Sequence, residues 1–181
     1  MGPRPSVCPP SPELVACYTF EDGWDALTLV DDADNSLDGT LEGATQVDGR
    51  RGVGAATTAA SKLEIPGAPE LASGLKWAVT AWVRLDALGA ARVGILDRDG
   101  DYGVFVLADG RPSCGDANQP IVGPMDLSLK TWHHIACVRE GGFMQLYVDG
   151  VLEVEGEKPA NLPAPNPTLV LANDSPPSAE E

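Results

Sequence analysis

Positive charge is what this chain has least of. Twelve Lys and Arg stand against 27 Asp and Glu, leaving a formal net charge of -15. Nucleic acids and anionic membrane surfaces are bound through basic patches, so neither is an expected partner. Long apolar runs are missing too. Nothing approaches the roughly 20 apolar residues of a membrane-spanning helix, so no membrane insertion is expected. Met1-Gly2-Pro3-Arg4-Pro5 has no apolar segment behind it, so no secretory signal is legible. The opening is expected to belong to a larger, multidomain chain. The four cysteines form no Cys-x-x-Cys pair, which removes the usual zinc spacing. No window of about a dozen residues keeps a 3.6-residue apolar period, apart from a single turn near Ala68 to Ser73.

What is there is strand-forming sequence with dense punctuation by 20 Gly and 16 Pro. From Thr131 to Val154 three apolar runs are separated by Glu140-Gly141-Gly142 and Asp149-Gly150. Asp-Gly between apolar strands is the signature of a type I′ hairpin, whose two central residues need positive φ, so this segment reads as an antiparallel meander. A second Asp-Gly pair, at 109–110, separates Tyr102 to Ala108 from Arg111 to Cys114. Lys76 to Leu85 alternates, with Trp77, Val79, Ala81, Val83 and Leu85 pointing one way and Ala78, Thr80, Trp82 and Arg84 the other. Further strands are expected at Leu14 to Phe20, Thr40 to Val47, Val53 to Ala60, Lys62 to Ile65, Arg92 to Leu96 and Thr168 to Ala172. The expected fold is all-β: an antiparallel two-sheet β-sandwich. With 43% apolar residues in 181, the chain has enough for one real core. Residues 1–12, holding five prolines, read as a linker; 13–174 form the domain; 175–181 are an acidic, proline-containing tail.

Cys8, Cys17, Cys114 and Cys137 are an even set in a turn-rich β chain, which points to two disulfides and an oxidising compartment, extracellular, cell-surface or periplasmic. Of the three connectivities, Cys8–Cys17 with Cys114–Cys137 is favoured. The first would pin the proline-rich leader to the opening strand, and the second would bridge two strands of one sheet region. The competing reading is four reduced thiols.

Several motifs fall in a family order: Leu14 to Gly23; Asp31 to Thr40; Gly49-Arg50-Arg51-Gly52-Val53-Gly54; Leu63-Glu64-Ile65-Pro66; Val79-Thr80-Ala81-Trp82-Val83; Trp132 to Ala136; and Tyr147-Val148-Asp149-Gly150. That order resembles the laminin-G-like, concanavalin A-like jelly-roll domains of bacterial extracellular proteins. The resemblance covers about residues 14–174. It implies a jelly roll and is weak on activity, because one sandwich hosts many functions. Two departures stand out. Ala59-Ala60-Ser61 replaces the family's aromatic-Asp-Gly, and no closing strand precedes Ser178 to Glu181. The opening strand is therefore expected to lack a neighbour and present an edge that invites pairing with another chain.

The resemblance also implies a structural Ca²⁺, for which Glu21, Asp22 and Asp38 are the named ligands among many acids between Glu21 and Asp38. The competing reading is that these acids close turns through backbone bonds. A catalytic alternative rests on Glu153-Val154-Glu155-Gly156-Glu157, whose alternating carboxylates would share one strand face in the manner of a jelly-roll glycoside hydrolase. The default reading of that run is a half-solvated strand. His133 and His134 point to opposite faces, one ring buried near Trp132 and bonded to backbone, the other at the surface, and no Gly-x-Ser-x-Gly elbow accompanies them. For stacking a sugar, Trp24 and Tyr102 are the candidate exposed rings, while Trp82 and Trp132 are assigned to the core. The functional expectation is a non-catalytic extracellular binding or adhesion module with a carbohydrate or protein ligand.

Overall fold

A computed structural model describes residues 8–33, 35–115, 120–158 and 168–173. The described residues are built from strands and two single 3₁₀ turns, at Trp24–Ala26 and Pro69–Leu71. The strands are β1 (Thr28–Leu29), β2 (Gly39–Glu42), β3 (Thr45–Asp48), β4 (Val53–Ala56), β5 (Lys62–Ile65), β6 (Lys76–Arg84), β7 (Val93–Arg98), β8 (Tyr102–Val106), β9 (Pro112–Gly115), β10 (Ile121–Val122), β11 (Trp132–Glu140), β12 (Phe143–Val148), β13 (Val151–Glu157) and β14 (Leu169–Leu171). They form an eight-stranded sheet in the order β1-β2-β5-β14-β7-β8-β9-β10, a four-stranded sheet β13-β12-β11-β6, and the hairpin β3-β4. All pairings are antiparallel.

The β6 alternation appears as read: Trp77, Val79, Ala81 and Val83 turn inward and their neighbours outward. Asp149 and Gly150 have φ of 51° and 83°, as a type I′ turn requires. At the second Asp-Gly pair only Gly110 is left-handed, and Leu107 N–H closes the loop on Arg111 O, so that connection is longer than two residues.

Two apolar clusters fill the sandwich. One joins Val104, Val106 and Cys114 of the large sheet to Ile135, Cys137, Met144 and Leu146 of the small one. The other gathers Leu29, Leu41, Leu63, Ile65 and Leu169, covered by Ala16, Tyr18, Phe20 and Trp24. Both expected disulfides are present, Cys8–Cys17 and Cys114–Cys137. The second differs from expectation in what it joins. Cys114 lies on β9 and Cys137 on β11, so it bridges the two sheets through the core.

Leu14 to Phe20 does not form the expected opening strand. Its backbone is held by carboxylates instead: Cys17 N–H donates to Asp31 Oδ1 at 3.0 Å, and Thr19 N–H and hydroxyl donate to Asp32 Oδ2 at 3.0 and 2.6 Å. The edge strand expected there is therefore absent. Thr40 to Val47 is divided between β2 and β3, which lie in different sheets, because Gly43 turns at φ 67°.

Beneath the Pro69–Leu71 turn, Arg98 and Asp101 form an ion pair with both side chains fully buried. Asp101 also accepts from Ser73 N–H and the Ser73 hydroxyl.

Candidate functional site

The outer face of the four-stranded sheet is set by register. Trp132 lies opposite Arg84 and His134 opposite Trp82 across β11 and β6. Tyr147, Ala136 and Thr80 form the next row, and Gln145, Val138 and Ala78 the one after. Directly opposed residues in an antiparallel pair share a face, so Trp82, Trp132, His134 and Arg84 are neighbours on one surface. Trp82 is 45% exposed, against its assignment to the core. The signal was in the alternation of β6, which already placed Trp82 with Thr80 and Arg84 and opposite in sense to Val79 and Val83. Trp132 is half-buried on the same outer face rather than in the core.

The β3-β4 hairpin folds over one end of this surface. Gly54 of β4 packs so that an added Cβ would sit 3.8 Å from the Trp132 ring. The hairpin tip is tight: Gly49 N–H donates to Gly52 O at 3.0 Å, and Gly52 has φ 53°. A Cβ on Gly49 would lie 2.6 Å from Val53 O, so the close turn requires glycine there. At the base Val53 N–H donates to Glu21 Oε1 at 3.1 Å. The tip holds Arg50 and Arg51 outward. The Arg50 guanidinium lies over Trp82, 5.0 Å from its centroid, and Arg84 lies 5.6 Å from the Trp132 centroid. The His134 ring stands 5.2 Å from Trp82. An exposed indole, an imidazole and guanidinium groups thus form a wall of π faces and N–H donors.

The other candidates are placed differently. Tyr102 is 7% exposed, stacks on Trp77 at 4.9 Å and donates its hydroxyl to Leu71 O at 3.0 Å. Burial pushes its pKa up to about 12, and it has no free ring face for a ligand. Asp99 and Asp101 just before it suggest an exposed acidic loop, but Asp101 is itself buried by its pairing with Arg98. Trp24 is half-buried against the core and donates its indole N–H to Phe20 O at 2.8 Å, so it closes the end of the sandwich.

The named calcium ligands do not converge. Glu21 accepts from Val53 N–H, Asp38 accepts from Asp31 N–H at 2.8 Å, and Asp22 is exposed. Among the described residues no three His, Cys, Asp or Glu side chains group as a metal site. Asp31 instead accepts backbone N–H groups from Cys17, Ala33, Asn35 and Leu37, the turn-closing role. Tyr18 donates to Leu37 O beside them, its pKa raised by burial and then by the charges of Asp31 and Asp38.

The glutamate row is broken. Tyr147 pairs with Leu152 and Leu146 with Val154, so Glu153 is the extra residue of a bulge and drops out of the alternation. Glu155 and Glu157 remain on the outer face, both exposed, with Glu155 accepting from Gln145 Nε2. Glu157 lines an open depression with Gly142, Phe143 and Lys158, and neither carboxyl is enclosed as an acid catalyst's is.

His133 and His134 do face opposite ways. The His133 ring bonds to side chains rather than to backbone: Ser128 Oγ lies 2.9 Å from Nε2 and Asp149 Oδ2 2.8 Å from Nδ1. Asp149 Oδ1 also accepts His134 N–H at 2.8 Å. Hydroxyl, imidazole and carboxylate in that sequence resemble a nucleophile–base relay. An acyl-transfer centre also needs backbone donors in front of the hydroxyl. The flanking N–H groups of Leu127 and Lys130 are already bonded to Gly110 O and Leu85 O. The relay ties the loop before β11, β11 itself and the β12–β13 turn together.

An antiparallel sandwich of an eight-stranded and a four-stranded sheet is the architecture of a jelly-roll domain. The chain belongs to the concanavalin A-like lectin/glucanase superfamily, whose laminin-G-type family matches residues 57–180. Domain 4 of AbnA, an extracellular arabinanase from Geobacillus stearothermophilus, solved with arabinotriose, superposes with a TM-score of 0.66 at 21% identity, over 88% of this chain and 83% of that one. A sialidase from Trypanosoma rangeli gives 0.60 at 17% identity, over 82% of this chain and 26% of the sialidase. The receptor binding domain of botulinum neurotoxin D gives 0.56 at 13%, over 80% and 41%. These likenesses share the fold. Among curated proteins no relative matches.

Proposed function

We propose that this protein is a non-catalytic carbohydrate-binding module of a larger extracellular or cell-surface chain, and that saccharide binds on the outer face of the four-stranded sheet. The observation that carries this reading is Trp82, an exposed indole on the outer strand face with Arg50 and His134 beside it. The C–H face of a sugar ring is apolar and packs on a π face, while its hydroxyls need convergent donors and acceptors. Trp82 supplies the first, and the arginines supply donors for the hydroxyl oxygens. Two disulfides support an oxidising setting, and the arabinanase domain solved with arabinotriose supports a glycan ligand.

The test is titration calorimetry of a panel of neutral and acidic oligosaccharides against the protein and Trp82→Ala. The side chain is exposed, so the variant should fold with unchanged near-UV dichroism from the stacked Trp77–Tyr102 pair. Affinity for the bound saccharide should fall by about tenfold or more, the ~1.4 kcal/mol scale of one lost stacking contact. Undiminished binding by Trp82→Ala would remove the site, and a ligand that proves to be protein would remove the carbohydrate reading.

A further inference from the structure

We infer that the saccharide taken at Trp82 is anionic, carrying the carboxylate of a uronic acid, and that Arg50 reads that carboxylate. This rests on the carbohydrate reading above and narrows its ligand class.

The argument begins with where the few cations go. Arg98 is buried against Asp101, and Arg139 is buried with its guanidinium donating to Gly141 O and Lys158 O. Lys76 pairs with Glu140, Arg111 with Asp109, and Arg84 with Asp86 at 3.3 Å. Arg50 and Arg51, like Lys62 and Lys130, are exposed and without an ion pair among the described residues, but they alone are adjacent guanidinium groups on one turn. In a chain of net charge -15, two unpaired guanidinium groups at one rigid turn make a local positive spot on an otherwise acidic surface.

Position adds to charge. Gly49 and Gly52 fix the tip that carries these arginines, so they are presented with little freedom to lose on binding. Arg50 lies on the face of Trp82. A guanidinium held over a ring at that distance keeps N–H groups for other partners, and its fork matches a carboxylate bidentately. A sugar ring against Trp82 would therefore have an unpaired fork beside it. For a neutral hydroxyl that fork is more donor than the ligand needs; for a carboxylate at the sugar's C5 position it is a matched partner. The His134 ring, 5.2 Å from Trp82, adds a further polar group within the same surface.

The test compares three trisaccharide probes: trigalacturonate, its fully methyl-esterified form, and a sulfated neutral trimer. The first two share one skeleton and differ by methyl esterification, which removes the carboxylate charges. The acid should bind about tenfold tighter than the ester in low salt, and the difference should shrink at 0.5 M NaCl as screening grows. Arg50→Gln should bring the acid-to-ester ratio close to one. Arg50→Lys, which keeps charge and loses the fork, should fall between. Arg111→Gln, whose guanidinium belongs to Asp109, should leave the ratio where it was. An equal affinity for acid and ester, a preference that survives Arg50→Gln, or tighter binding of the sulfated trimer each overturns the inference. Trp82-dependent binding of neutral sugars with no acid preference would sink this inference and leave the carbohydrate reading standing. Indifference of every sugar to Trp82→Ala would sink both.

Discussion

At position 101 a carboxylate is fully buried two residues after an exposed one, Asp99, and one residue before a buried tyrosine. Its charge is tolerated because Arg98 and Ser73 surround it. Removing one member of such a pair leaves the other charged and desolvated, which costs about 3–5 kcal/mol. Asp101→Ala should therefore lose that much in urea unfolding, with Arg98 left in the core. A loss below about 1 kcal/mol would mean that solvent reaches the pair. The same residues show what the sequence could not convey. Asp97, Asp99 and Asp101 look alike on paper, and Tyr102 beside them looks solvent-facing. Only the tertiary fold decides which acid meets an arginine, so Tyr102 was misplaced with it. Trp82 failed for the opposite reason: its strand alternation placed it outward, and the family resemblance argued it inward.

The β12–β13 hairpin is the element on which local sequence and structure agree most closely. Asp149-Gly150 requires positive φ at both positions and has it, because a short polar side chain and a glycine tolerate the left-handed region. Asp149 then does more than turn the chain, bonding the His133 ring and His134 N–H. Burial works to raise its carboxyl pKa, but the His134 N–H and then the His133 ring outweigh it and hold it below the ordinary value. The stabilisation is thus present above the unfolded carboxyl pKa of about 4 and is lost as pH falls through the lower folded value. Asp149→Ala should cost about 1–2 kcal/mol at pH 7, from two hydrogen bonds to a half-exposed group, and should flatten the decline in stability of the parent protein below pH 4. A variant with an unchanged acid limb would show that the hairpin is held by its ladder alone. The bulge at Glu153, three residues on, was not legible, since an inserted residue leaves no mark in an alternation of acid and apolar side chains. Nor was the carboxylate clasp of residues 14–20, whose Val, Ala, Tyr and Phe read as a strand although the N–H groups of Cys17 and Thr19 between them donate to the side chains of Asp31 and Asp32.

On the scale of the whole molecule, eight strands face four, and the difference is made up by the segment carrying Ala16, Tyr18, Phe20 and Trp24, which Cys17 ties to Cys8. The other disulfide works across the layers. Cys114 and Cys137 are both fully buried, 23 residues apart in sequence, and join the large sheet to the small one in the middle of the second core cluster. Closing a loop of that length is worth about 3 kcal/mol through the entropy of the unfolded chain. The sheets are also pressed together by Ile135, Met144 and Leu146, so the bond is not what brings them into contact; it limits how far the unfolded chain can spread, against the self-repulsion of a charge of -15. Cys114→Ala with Cys137→Ala should therefore keep the β-sheet circular dichroism and the exposed Trp82 surface, while the urea midpoint drops by an amount equal to about 3 kcal/mol, more at low salt than at high. Because Trp82, His134 and Arg84 lie on the outer face of β6 and β11, and of these strands only β11 carries an end of that bond, on its inner face, saccharide affinity in the native range should be unchanged in the double variant. A coupled loss of affinity and stability would instead show that the outer platform depends on the cross-layer bond to hold β11 in place.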